Sequence, residues 1–188
     1  MISIIQGDIM KKILQFSGLI ALAAGIVGLI LIMFTHSVVG QNAPADNWYS
    51  GVSAIFGGGE YKWTVSGFGI TVSDVATFKG NNSSSALVAW IFALAGLLGL
   101  VLGVILPLFK VKGFNKFAGL MNLCSVLLLL TAGVLLFFTV TNFAGVNNWD
   151  NTNNVALGGG WVVGAILFLV AGVIAICPAI ADFVAKRK

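Results

Sequence analysis

The sequence predicts an all-α membrane fold: a four-transmembrane-helix bundle built of two hairpin repeats, with a small extracellular antiparallel β cap. Three observations carry this. Four apolar stretches of 22 to 24 residues divide the 188-residue chain. Only 9% of the residues are charged and 59% are hydrophobic, whereas soluble domains carry about 25% charged residues. One polar stretch, from Asp46 to Asp74, alternates with the period of a strand. A chain with so little charge lacks a polar coat for a water-facing surface, and its surface suits hydrocarbon.

Residues 1–12 are expected as a cytoplasmic N-terminus and residues 13–34 as the first span. The other spans are 86–109, 118–141 and 160–183. At 1.5 Å per residue each is about 33–36 Å long, enough to cross a core of about 30 Å with some tilt. The first run is too long for a signal-peptide core of about 7–15 residues. The only A-x-A candidate, Ala43-Pro44-Ala45, has proline at its centre. An uncleaved first helix is therefore expected.

Orientation follows from lysine and arginine. Lys11, Lys12, Lys110, Lys112, Lys116, Lys186, Arg187 and Lys188 fall on one side of the spans, and only Lys62 and Lys79 on the other. The positive-inside rule puts both termini, the 110–117 loop and the 184–188 tail in the cytoplasm. Segments 35–85 and 142–159 then face outward. The expected location is the cell membrane. All five tryptophans and both tyrosines lie on the outer side. Trp90 and Trp161, near outer helix ends, are expected at headgroup level. This layout accounts for the net charge of +4. No basic patch interleaved with aromatics is present, so nucleic acid is not an expected partner.

The chain also repeats itself. Lys11-x4-Phe16-Ser17-Gly18-Leu19-x2-Leu22 matches Lys112-x4-Phe117-Ala118-Gly119-Leu120-x2-Leu123. Trp90 and Pro107 are 17 residues apart, as are Trp161 and Pro178. Two hairpins from one ancestral unit, each starting inside, would be parallel repeats about an axis along the membrane normal. The halves differ mainly in their outer loops.

In the longer outer loop, Trp48 to Phe56 alternates imperfectly, and Gly57-Gly58-Gly59-Glu60 offers a turn. Tyr61, Trp63 and Val65 then alternate with Lys62, Thr64 and Ser66, and Phe68, Ile70 and Val72 with Gly69, Thr71 and Ser73. The pattern predicts two or three antiparallel strands. A lone hairpin is marginal in water, so the sheet needs a floor. The helix ends and the Asn-rich second loop around Trp149 are expected to supply it.

This outline of four helices, inward termini, a long sheet-forming first loop and a short second one resembles the claudin family and its tetraspan relatives. That family's first loop carries a tryptophan, then Gly-Leu-Trp, then two cysteines. Here Trp48 and Trp63 are present, Gly-Leu-Trp is absent, and no cysteine lies between 35 and 85. The resemblance implies a topology only, and no functional residue is carried over.

Candidate chemistry is sparse. Asp182, near the inner end of the fourth span, is the only charged side chain within a span, which weakens ion-coupled transport and proton relay. Cys124 and Cys177 lie at similar depth and could be neighbours; the polar segments hold no cysteine, so no disulfide framework is expected. His36 is the only histidine. One imidazole and one Asp150 carboxylate are too few for zinc or calcium. No catalytic residue, cofactor or metal is expected. Asn81 and Asn82 fit the N-x-Ser pattern. Asn122 and Ser125 suit hydrogen bonding between helices, and Ala95, Gly99 and Gly103, like Ser17, Ala21 and Gly25, form small-residue stripes for close helix packing. Gly25, Ala95, Gly99, Gly103 and Asn122 are the expected packing positions.

The leading functional expectation is a non-enzymatic membrane scaffold or interaction protein. Its cap would engage a protein partner or a second copy through Trp48, Tyr49, Tyr61, Trp63, Phe68 and Trp149. An oligomeric channel or transporter subunit is the alternative, and a lipid enzyme using Asn122, Ser125 and Asp182 comes third.

Overall fold

Residues 2–40, 47–67, 70–105, 107, 117–147 and 155–185 are described by a computed structural model. Its four long helices follow the apolar runs: α1 (Ile2–Phe34), α3 (Ser84–Leu100), α4 (Ala118–Phe137) and α6 (Gly159–Ala185). All are long and apolar enough to cross a membrane. Helix α1 is continuous through Lys11 and Lys12, so the helix begins well before the first apolar run. The chain is in this sense a membrane protein, with a small antiparallel sheet at one end of the bundle.

Small residues line much of the bundle interior, beside a few large ones such as Leu100, Leu129 and Phe168. Ala21, Ala93, Ala132, Ala165, Ala171 and Ala175 are fully buried, while Ile20, Leu98, Leu127 and Val173 are exposed. In lipid there is no gain from hiding apolar side chains from hydrocarbon, so helices associate by close backbone approach. At the α4–α6 contact, a β-carbon on Gly133 would stand 2.9 Å from the Ala165 carbonyl oxygen. At the α1–α6 contact, one on Gly28 would stand 3.2 Å from the Gly164 carbonyl oxygen. Helix α6 thus packs closely on both α1 and α4, and α3 packs on α4. Helices α1 and α3 meet more sparsely, with Leu97 reaching Gly25 and Val104 reaching Gly18. The two hairpins expected from the sequence are therefore not packed alike.

Helix α3 runs into a π-helical turn, Val101–Ile105. Its cause is legible. Pro107 has no N–H to give the carbonyl four residues earlier, that of Gly103. The amide of Asn122, 1% exposed on α4, donates to this carbonyl at 3.3 Å. The single asparagine of the third span therefore replaces the donor that a proline in the second span withholds. Truncating Asn122→Ala is expected to cost about 1–2 kcal/mol, read as a lower midpoint of thermal unfolding in detergent. An unchanged midpoint would show that the Gly103 carbonyl does not depend on it.

The cap is a five-stranded antiparallel sheet in the order β4-β3-β2-β1-β5. Its strands are β1 (His36–Gly40), β2 (Trp48–Ser50), β3 (Glu60–Gly67), β4 (Ile70–Thr77) and β5 (Val155–Leu157). The stretch expected to form two or three strands holds three, β2, β3 and β4, and a further strand, β1, forms before it, directly after α1. The second loop contributes β5, which pairs with β1 from Val38↔Leu157 to Gly40↔Val155. It also contributes a helix. After a turn at Phe138, α4 is followed by α5 (Thr139–Val146), part of which falls where a loop is expected.

A second correction concerns residues 51–56. The imperfect alternation there is not a strand but a short helix, α2 (Gly51–Phe56). Local chemistry explains it. The Ser50 side chain caps the N-terminus by accepting from Ser53 N–H at 3.2 Å, and Gly57, at φ 75°, ends it in the left-handed conformation. Gly51, Ala54 and Ile55 are buried at helical spacing, so tertiary burial favours the 3.6 period over the 2.0 period.

Candidate interaction surface

One aromatic cluster and one set of asparagines join the elements of the cap to one another and to the start of α3. Tyr49 and Tyr61, cross-strand partners on β2 and β3, stack with ring centroids 5.5 Å apart. Phe78, between β4 and α3, meets Tyr49 edge-on at 5.2 Å. Phe143 of α5 meets Tyr49 at 5.3 Å and Phe78 at 5.4 Å, and it is fully buried. Both outer segments therefore share one small core. Burial and the neighbouring Tyr61 raise the pKa of the Tyr49 phenol, so it stays neutral.

The asparagines join the same elements. Asn81 N–H donates to Asn147 Oδ1 at 2.9 Å, Asn147 Nδ2 returns a bond to the Asn81 carbonyl at 3.0 Å, and Asn81 Nδ2 reaches the Val146 carbonyl at 3.1 Å. Asn142 Oδ1 accepts from the Ser83 and Ser84 hydroxyls at 3.0 Å. Asn82 Nδ2 donates to the Ile55 carbonyl. Both N-x-Ser asparagines thus spend their amides within the fold, tying the start of α3 to α2 and α5.

His36 lies at the root of the sheet and stacks flat on Trp48, 4.2 Å between centroids. Desolvation lowers its pKa from the ordinary 6.5. A base whose folded pKa is depressed destabilises the fold only when protonated, so its cost is absent above about pH 6.5 and grows as pH falls through and below that value. The partly solvated site makes the effect small. Cap unfolding followed by tryptophan fluorescence should be slightly easier at pH 5.5 than at pH 7.5, and His36→Gln should remove the difference. A dependence of equal size in His36→Gln would assign it to another group.

The expected contact residues fall into different places. Trp48, Tyr49, Tyr61 and Trp63 are all partly buried, and Tyr49 and Tyr61 belong to the cap's own core. Phe68 and Trp149 lie outside the described residues. Among the described residues of the sheet, the most exposed large apolar side chains are on β4, where Ile70, Val72 and Val75 are 66%, 52% and 48% exposed. The alternation of Phe68, Ile70 and Val72 is the signal in the sequence that marks this strand, although tryptophans and tyrosines outrank it by residue type alone.

Of the packing positions, Gly25, Gly99, Gly103 and Asn122 are buried. Ala95 is exposed, and its neighbour Gly96 faces Leu129 of α4 instead. A stripe read at every fourth residue drifts about 40° per step round a 3.6-residue helix, which carries Ala95 away from the contact. Trp161 is fully buried, and its indole N–H has no hydrogen-bond partner among the described residues. Cys124 is exposed, Cys177 is half-buried, and neither is in a disulfide. The side chain of Asp182 lies outside the described residues. Among the described residues no group of His, Cys, Asp and Glu could hold a metal ion.

The fold and its surface define the class, a bundle of four membrane-length helices with a two-loop β cap. No family model, no curated protein and no solved structure matches this chain.

Proposed function

We propose that this is a non-enzymatic scaffold or interaction protein of the cell membrane, engaging a protein partner or another copy through its cap. The lysine and arginine distribution supports inward termini and an outward cap, and the paired Trp–Pro spacings support a duplicated helical hairpin. The observation that carries the functional reading is the outer half of the β3–β4 hairpin. The strands pair over all eight residues, from Glu60↔Thr77 to Gly67↔Ile70, while β2 pairs with β3 only at Tyr61 and Lys62. The hairpin therefore outruns the sheet, and β4 is exposed along nearly its whole length. The asparagines described above bond within the fold and serve the cap's own architecture. The side chains of Ile70, Val72 and Val75 leave apolar surface exposed on β4, which suits protein contact.

The test is a trimmed chain. Trp63 and Asp74 are cross-strand partners, so residues 64–73 can be replaced by Asn-Gly, a two-residue hairpin turn. The cluster of Tyr49, Tyr61, Phe78 and Phe143 stays intact. Wild-type protein purified in mild detergent is expected as a discrete assembly, and the trimmed chain as a folded single copy. An assembly of unchanged mass and composition in the trimmed chain would overturn the reading.

A further inference from the structure

We infer that the exposed face of α5 holds one membrane phospholipid by an ester carbonyl. This site stands apart from the contact made by the cap and needs no partner chain. Five residues line an open groove of about 340 Å³: Phe138, Thr141, Asn142, Gly145 and Val146. They recur at the spacing of one helix face, opposite the face that buries Thr139 and Phe143. The volume lies at the lower end of ligand sites, which run from about 300 to 1,000 Å³. It suits the glycerol region of a lipid, with the acyl chains lying outside.

Contacts set the depth of the groove, whichever way round the chain is inserted. Helix α4 has 20 residues, about 30 Å, the thickness of a hydrocarbon core of about 30 Å. Phe138 follows its last residue. Asn142 bonds to Ser83, Ser84 and Ser85, where the second membrane-length stretch, Ser84–Ile105, begins. Two spans therefore end at the level of the groove, where acyl chains meet the polar part of a lipid. On the hydrocarbon side, Leu127, Val134 and Phe138 are 60%, 48% and 59% exposed and share one helix face. This apolar row leads into the groove at Phe138 and gives an acyl chain a track.

The polar groups of the groove are donors. The Ser83 and Ser84 hydroxyls, at 3.0 Å, and the Ser85 N–H, at 3.4 Å, converge on one atom of the Asn142 side chain. A backbone N–H only donates, so that atom is the amide oxygen. Nδ2 is the other branch, and it has no partner among the described residues. The Thr141 hydroxyl is likewise without one, whereas Thr131 of α4 returns its hydroxyl to the Leu127 carbonyl at 2.8 Å. No charged side chain lines the groove. A phosphate is matched best by arginine or lysine. A neutral acceptor, the ester carbonyl found at this depth, matches an amide and a hydroxyl.

The experiment titrates the full chain, in a neutral detergent, with diacyl phosphatidylcholine. A second titration uses the dialkyl ether analogue, which keeps headgroup and chains but lacks both carbonyls. Native mass spectrometry reads occupancy of the first bound lipid. The diester is expected to bind about tenfold more tightly than the ether, the scale of one or two hydrogen bonds. Diacyl phosphatidylglycerol should bind like phosphatidylcholine. A β-carbon on Gly145 has no atom within 4 Å, so Gly145→Leu fills the groove without a clash. Asn142→Asp keeps an oxygen for the three donors of α3 and replaces the free donor with an anion. Both variants should keep the wild-type circular dichroism and thermal midpoint and lose about tenfold or more in first-lipid affinity. Equal binding of diester and ether, or wild-type affinity in either variant, overturns the inference and leaves annular lipid only. A preference for one headgroup charge also overturns it. The ether comparison uses the unaltered chain, so it decides even where a variant misfolds.

Discussion

Phe143→Ala is expected to lower stability by about 3–5 kcal/mol, the usual cost of emptying a buried aromatic site. The ring is fully buried and touches aromatics from β2 and from the β4–α3 link. It is the side chain through which α5, in the second outer segment, holds the sheet built by the first. Its loss should therefore be felt unevenly. The four helices keep their own contacts, while the cap loses its floor and opens at a free energy well below that of global unfolding. Limited proteolysis within residues 47–80 should accelerate, and tryptophan fluorescence should report a separate, earlier transition. Phe138→Ala is the matched control, because Phe138 is 59% exposed and its truncation should change stability by less than about 0.5 kcal/mol. Equal behaviour of the two variants would show that the cluster does not anchor the cap.

Gly51→Val should be at least as damaging, at about 3 kcal/mol or more, because overpacking against main chain has no rotamer to relieve it. A β-carbon on Gly51 would collide with the Ile32 carbonyl oxygen and stand 3.0 Å from the Met33 carbonyl oxygen. The residue also donates its N–H to the Thr35 carbonyl. Substitution would push α2 off the end of α1 and carry β2 and β3 with it. Gly58→Ala, where no atom lies within 4 Å of the added carbon, should be nearly neutral. The comparison is made by thermal unfolding in detergent together with the yield of folded protein. A Gly51→Val chain as stable as wild type would mean that α2 does not seat against α1 as described.

Much of this was legible along the chain. The four spans follow from hydropathy, because an apolar run of that length satisfies its own backbone only as a helix. The β3–β4 hairpin follows from period-2 alternation. The misreadings are equally physical. Residues 51–56 are short and apolar, and period alone does not separate helix from strand in so brief a run. The cap serine at position 50 and the glycine at 57 were the decisive signals. β5 is three residues long, too short for alternation to show, and exists because β1 offers it an edge. Ala95 shows the limits of residue type: it had a standard role by position, and the rotation of its helix turned it away from the contact. Residue type also ranked Tyr49 and Tyr61 as contact surface, whereas the structure spends them on the cap's own core.

The sequence by itself determined the elements whose cause is local: helices long enough for a membrane, a turn at Gly57–Glu60, a hairpin, and a proline that leaves one carbonyl without its helical donor. Only the tertiary structure decided which residues are left over for function. Asn122 answers Pro107 across two helices, Phe143 meets Tyr49 across two loops, and β5 closes one edge of a sheet whose other edge, β4, stays open. Those pairings join residues far apart in the chain, and hydropathy and periodicity report only on near neighbours. Exposure is what remains after distant parts have packed, so the open strand could be marked as a strand from sequence, but its openness could not.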